Sequence, residues 1–149
     1  MPDSGEKCLK KIVDSKLDIC YHYANIMEIV VTNNPMVRDK FSEAGKSHNQ
    51  LEFLDTDYMG VLKAVRDRVH VGSRLVTHPL SGSVKPGETP YKTVILSSGE
   101  CKLDEEALHI IEESIQTCQK LTAGKKRDWR ADLLADFQLI DFSLIFSGR

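Results

Sequence analysis

The stretch Thr77–Lys92, THPLSGSVKPGETPYK, gathers the side chains in this chain best suited to holding a small anion. Ser81, Gly82 and Ser83 offer successive amide and hydroxyl donors to an oxyanion, Lys85 supplies positive charge, and His78 adds a donor whose charge changes near neutral pH. Thr89 and Tyr91 extend the set of hydroxyls. Three of the five prolines of the chain, Pro79, Pro86 and Pro90, restrict this backbone, while Gly82 and Gly87 permit turns and close approach of a ligand. A long connection without secondary structure of its own is uncommon in a small domain and is often functional. In the competing reading, these residues only shape a tight connection whose hydroxyls bond its own turns.

Within that stretch GSVKPGET (Gly82–Thr89) has the glycine spacing of a nucleotide-binding phosphate loop. Glu88 stands where such a loop needs its lysine, and Pro90 disfavours helix at Thr89, where the loop would have to enter one. It is not an ATPase loop. His22, His48, His70, His78 and His109 show no metal-ligand spacing. Cys8, Cys20, Cys101 and Cys118 are too dispersed for a metal knuckle or redox pair and read as reduced thiols. Ser81 lacks the strained elbow of a hydrolase nucleophile, and a pairing with His78 rests on proximity alone. Lys63, Arg66, Arg68, His70 and Arg74 form a basic patch interrupted by Asp67, most simply a solvated face, with docking to an acidic partner as the alternative. Trp129, the sole tryptophan, reads as a packing anchor.

With 20 basic and 22 acidic residues in 149, the net charge is −2, which gives no default attraction to nucleic acid or anionic lipid. A chain of this length suits one domain able to bury a sizeable core. No secretory signal core or membrane-length apolar run is evident, and a cytoplasmic location is expected.

The elements that must position these side chains follow from periodicity. Leu9, Ile12, Val13, Leu17 and Cys20 mark an amphipathic helix over residues 5–24, and Met27 offers a natural start, so residues 1–26 read as an N-terminal helical extension and 27–149 as the domain proper. Strands are expected at Ile26–Thr32, Leu51–Leu54, Arg74–Thr77 and Lys92–Ser97. Asn34 before Pro35 starts a short helix reaching Phe41 and stopping near Gly45. Asp55, Thr56 and Asp57 precede a helix with the stripe Tyr58, Val61, Leu62, Val65, Val69, closed by Gly72. A long helix runs from Leu103 to Leu121, and the tail ADLLADFQLIDFSLIF fits a helix through Leu133, Phe137, Ile140 and Leu144.

This alternation predicts a single-domain α/β fold: a mainly parallel, Rossmann-like sheet of about four strands with helices on both faces. Right-handed crossovers would bring Asn33–Pro35, Asp55–Asp57, His78–Tyr91 and Ser97–Glu100 to the carboxyl edge, where ligands of open α/β sheets bind. The connection His78–Tyr91 suits either a parallel crossover or an antiparallel return. The candidate ligand-binding residues are therefore Asn33, Asn34, His78, Ser81, Gly82, Ser83, Lys85, Thr89 and Tyr91, with no catalytic or metal-ligating residue assigned and the cofactor left open.

VVTNNPMV (Val30–Val37), LVTHPLSGSVKPGETPYKTVIL (Leu75–Leu96), HIIEES (His109–Ser114) and DFQLIDFSLI (Asp136–Ile145) resemble the GrdX family over about residues 27 to 145. That family is encoded alongside the glycine, sarcosine and betaine reductase systems of anaerobic bacteria. The resemblance implies an accessory role in an anaerobic cytoplasm, near a selenoprotein reductase that makes acetyl phosphate. It names no catalytic residue, and neither selenocysteine nor a paired redox cysteine is present here. The expectation is an accessory or regulatory protein that binds an anionic or phosphate-bearing small molecule. The alternative is an interaction or assembly factor for reductase subunits, docking through the N-terminal helix or the basic patch. A small hydrolase or transferase using His78 and Ser81 comes third.

Overall fold

A computed structural model describes residues 27–45, 49–82, 84–98 and 102–147. The helical extension expected over residues 1–26 lies outside the described residues, as does Ser83. The β-branched run after Met27 forms β1 (Glu28–Thr32), with Ile29 to Thr32 all buried. Asn34 then caps α1 (Pro35–Ala44): its Oδ1 accepts from Met36 N at 2.9 Å, and Pro35 occupies the first turn, where its missing N–H costs nothing. Gly45 ends the helix in the left-handed conformation at φ 54°, a backbone state that glycine adopts without steric cost. The chain continues through β2 (Asn49–Phe53), α2 (Tyr58–His70), the two-residue β3 (Arg74–Leu75) and β4 (Thr93–Ser97), and ends in α3 (Glu105–Thr122) and α4 (Ala131–Phe146).

The strand order is β2-β1-β4-β3. Pleating sends alternate side chains of the two central strands to opposite faces. Ile29 and Val31 of β1 join Val94 and Leu96 of β4 in a core with the stripe Tyr58, Val61, Leu62, Val65, Val69 of α2 and with Ala107, Ile111, Ile115, Cys118 of α3. Val30 and Ile95 face the other way, against Val37 of α1 and Ile145 of α4. The fold is thus α/β with helices on both faces, as the alternation predicts.

The expected mainly parallel sheet is corrected: it is mixed. Only β1 and β2 run parallel, and β4 is antiparallel to both of its neighbours, β1 and β3. The reason lies in the connection His78–Tyr91. A parallel crossover spans the sheet on a dozen or more residues, usually a helix, and three prolines keep this segment from forming one. The chain instead returns as a wide hairpin beside the strand it left. Val76 N and Thr77 N both donate to Ile95 O, which ends regular pairing early and keeps β3 shorter than the Arg74–Thr77 strand expected.

Reversing β4 moves two loops relative to expectation. Ser97 pairs with Glu28, so the turn after β4 leaves from the amino end of β1, away from the edge where Ser97–Glu100 is expected. In exchange, Lys92 and Thr93, at the entry to β4, come to the carboxyl end of β1, where Thr32 pairs with Thr93.

Candidate functional site

At that edge two consecutive asparagines act as clamps. The Asn33 side chain accepts from Lys92 N (2.8 Å) and donates to Pro90 O (2.8 Å) and Thr56 O (3.0 Å), tying β1 to the end of the long loop and to the entrance of α2. Beyond capping α1, Asn34 donates from Nδ2 to Gln138 O and Asp141 Oδ2 of α4, both at 2.9 Å. Both amides are fully used inside the protein. They hold the site together and have no donor left to offer a ligand.

Asp141, only 9% exposed, is the centre of this polar network. Its Oδ1 accepts from Thr93 N (3.0 Å), and its Oδ2 accepts from Thr93 Oγ1 (2.6 Å) as well as from Asn34. Because Thr93 Oγ1 gives its proton to the carboxylate, the Thr32–Thr93 hydroxyl contact at 2.7 Å must be donated by Thr32, whose oxygen in turn accepts from Asn34 N at 3.0 Å. A buried carboxylate is costly unless it is well hydrogen-bonded, and three donors engage this one across both oxygens.

Above the network lies a half-open cleft with about 290 Å³ of empty space counted out to solvent, lined by Tyr58, Ser81, Val84, Thr89, Tyr91, Lys92, Phe137, Ile140 and Asp141. Lys92 is 4% exposed and is the only lysine or arginine in that lining. Its Nζ donates to Ser81 O at 2.6 Å, which leaves its other hydrogens for the cleft. Burial pushes the Lys92 ammonium down to about 8, against an opposing pull from Asp141. Tyr91 Oη accepts from Gln138 Nε2 (3.1 Å) and Thr89 Oγ1 accepts from Tyr91 N (3.2 Å), so each hydroxyl keeps its own proton to donate. Burial drives the Tyr58 hydroxyl well above its ordinary range and keeps it protonated. The chemistry on offer is one cation, several hydroxyl donors and an apolar wall of Val84, Phe137 and Ile140.

Of the residues singled out from the sequence, Ser81, Thr89 and Tyr91 line the cleft, and Asn33 and Asn34 brace it from below. His78, Gly82 and Lys85 are exposed and are not among the lining residues, and Ser83 is outside the described residues. His78 Nδ1 accepts from Leu80 N at 3.1 Å, a local turn contact, and Ser81 meets His78 through its backbone, Ser81 N donating to His78 O at 3.0 Å. The loop is anchored at its two left-handed glycines: a side chain at Gly82 (φ 126°) would press on Leu144, and one at Gly87 (φ 83°) on Thr122. Sequence reasoning missed Lys92, Asp141, Tyr58, Val84, Phe137 and Ile140 as a group. Lys92 reads as the first residue of a strand, and the only hint at Asp141 is a carboxylate interrupting the apolar run QLIDFSLIF.

Two members of the basic patch are paired in place. Arg68 pairs with Glu52 at 2.6 Å, and Arg66 reaches Asp67 and Glu112. Among the described residues no three of His, Cys, Asp and Glu are grouped to hold a metal ion, and no helix is long and apolar enough to cross a membrane.

Residues 29–148 match the family model described as GrdX-like protein. The chain belongs to the GrdX-like family. The match takes in every element described above but for Glu28 at the start of β1, and the whole lining of the cleft. No curated protein and no solved structure matches the chain.

Proposed function

We propose that this GrdX-like protein is a non-catalytic binding protein that takes up a small carboxylate- or phosphate-bearing anion in the Lys92 cleft, in the setting of the glycine reductase systems its family implies. The observation that carries this reading is Lys92: a nearly buried ammonium, unmatched in the lining by any other cation, surrounded by hydroxyl donors. Asp141 offsets part of that charge, while the lone pairs of its carboxylate are turned to three protein donors and Lys92 Nζ is hydrogen-bonded to Ser81 O instead. The empty space is small even with open solvent included, which favours a ligand of a few heavy atoms over a nucleotide.

Calorimetry or thermal shift with inorganic phosphate, acetyl phosphate, acetate and lactate tests the proposal. At least one anion is expected to bind wild type, with affinity at least tenfold lower in Lys92→Met and unchanged in Lys85→Ala. Loss on Lys85→Ala with retention in Lys92→Met would move the site out to the loop. Affinity should also decline as pH rises through about 8, where Lys92 gives up its charge.

One observation favours the second reading, docking on a reductase subunit. Leu133, Leu139, Ile140 and Leu144 of α4 are all exposed, while Arg66 and Arg68 of the basic patch are paired internally. Co-purification with reductase subunits that is lost in Leu139→Asp, with anion binding intact, would favour it.

A further inference from the structure

We propose that Lys92 is a covalent attachment point: its amine condenses with the carbonyl of a small 2-oxo acid to form an imine inside the cleft. This rests on the anion-binding reading, since the carboxylate of such a compound is what would draw it to the site. The geometry prepares the amine at both ends. Lys92 N is fixed by Asn33 Oδ1 (2.8 Å) and Nζ by Ser81 O (2.6 Å), so both ends of a side chain that lines the cleft are held in place and little further entropy is lost on reaction. A hydrogen bond from the amine to a carbonyl uses a hydrogen and leaves the nitrogen lone pair, once the group is neutral, free to face the ligand.

The step balances without any oxidant or reductant. The ammonium first releases a proton to solvent. The nitrogen lone pair then forms a C–N bond to the carbonyl carbon while the carbonyl oxygen takes up a proton, with Tyr58 and Tyr91 the hydroxyls at hand to relay it. The resulting carbinolamine loses that oxygen as water, leaving the protonated imine. Its positive charge replaces that of the ammonium, so the ligand carboxylate and Asp141 face the same net charge before and after. The site is therefore no less favourable to an anion once the bond has formed. The lowered Lys92 pKa supports the chemistry: at pH 7 about a tenth of a group titrating near 8 is neutral, against well under a thousandth for an ordinary lysine.

The full chain is incubated with pyruvate, reduced with cyanoborohydride and mapped by peptide mass spectrometry, alongside thermal shift with lactate, which has the carboxylate but no carbonyl. Lys92 is expected to be labelled at least tenfold more than the exposed Lys63 and Lys85. Lactate should suppress that label, and Lys92→Met should lose it while keeping its background labels. Because the map is read on wild type, the proposal does not depend on the variant folding. A lactate-stabilised protein with Lys92 unlabelled would overturn the imine and leave the anion site standing. No label and no lactate shift would overturn both. Label at Lys92 without any effect of lactate would uphold the imine and remove the carboxylate reading.

Discussion

Three donors converge on the Asp141 carboxylate, and two of them, from Asn34 and Thr93, share Oδ2. Replacing Asp141 by Asn puts an NH₂ group against the Asn34 Nδ2 donor or the Thr93 amide, whichever way the new amide is turned. Asp141→Asn is expected to cost about 2–4 kcal/mol in urea unfolding, and a double-mutant cycle with Thr93→Val should show strong coupling. A loss within a few tenths of a kcal/mol would mean that the network is not formed. At this scale the sequence is an incomplete guide. Asn34 is recognisable as a helix cap because capping is local in the chain, but its second role, binding a helix more than a hundred positions away, depends on which elements the fold brings together.

Among the elements, α4 carries the clearest difference between pattern and packing. Leu133, Phe137, Ile140 and Leu144 supply the helical period, yet Leu133, Ile140 and Leu144 remain exposed, while Ile145 and Asp141 are buried and Phe142 joins the same core. The helix is apolar on nearly all sides, so hydrophobicity alone does not choose its rotation. Asp141 chooses it, since only one rotation gives the carboxylate its donors. Phe137 is held at the boundary, edge-on to Trp129 at 5.2 Å, which bears out Trp129 as a packing anchor. Ile145→Ala is therefore expected to cost about 2–4 kcal/mol, and Leu139→Lys, at a residue 53% exposed, within about 0.5 kcal/mol, both read from urea denaturation. Equal costs would place the buried face elsewhere. In the long loop, Gly87→Ala should lower stability by roughly 1–2 kcal/mol, because its φ of 83° strains any side chain and Thr122 closes the space beside it. An unchanged thermal midpoint would show that the loop is not anchored on α3.

For the whole molecule, three buried groups determine how stability follows pH. Lys92 titrates near 8 in the folded protein against 10.5 ordinarily. Between those values the unfolded chain holds a proton the folded chain lacks, so stability rises with pH over that interval, by up to about 3 kcal/mol. Cys118 acts in the opposite sense. Its thiol, pushed by burial up to about 11 from 9.0, favours the fold below pH 9, and that advantage is lost as pH climbs towards 11. Tyr58, also raised by burial, adds to the decline above pH 10. Denaturation midpoints should climb from about pH 8 to 9, level off while the Cys118 loss offsets the Lys92 gain, and fall above about 10, and Lys92→Met should flatten the climb. A wild-type profile that is level from 7 to 9 would refute a charged Lys92 in the interior.

What the sequence determined alone is everything whose cause lies within a few residues. That covers the existence of the four strands and of the helices described, the cap Asn34, a cap among Asp55, Thr56 and Asp57, the buried stripe of α2, the closure at Gly45 and the kinship carried by the loop motif. The direction of β4, the rotation of α4 and the meeting of Lys92 with Tyr58 and Phe137 required the tertiary structure. A connection of fourteen residues is long enough for either return, its prolines disfavouring only a helical crossover, and an apolar helix with one acid in it permits several rotations. Both choices are decided by which partners distant backbone amides and a single carboxylate find when the layers close.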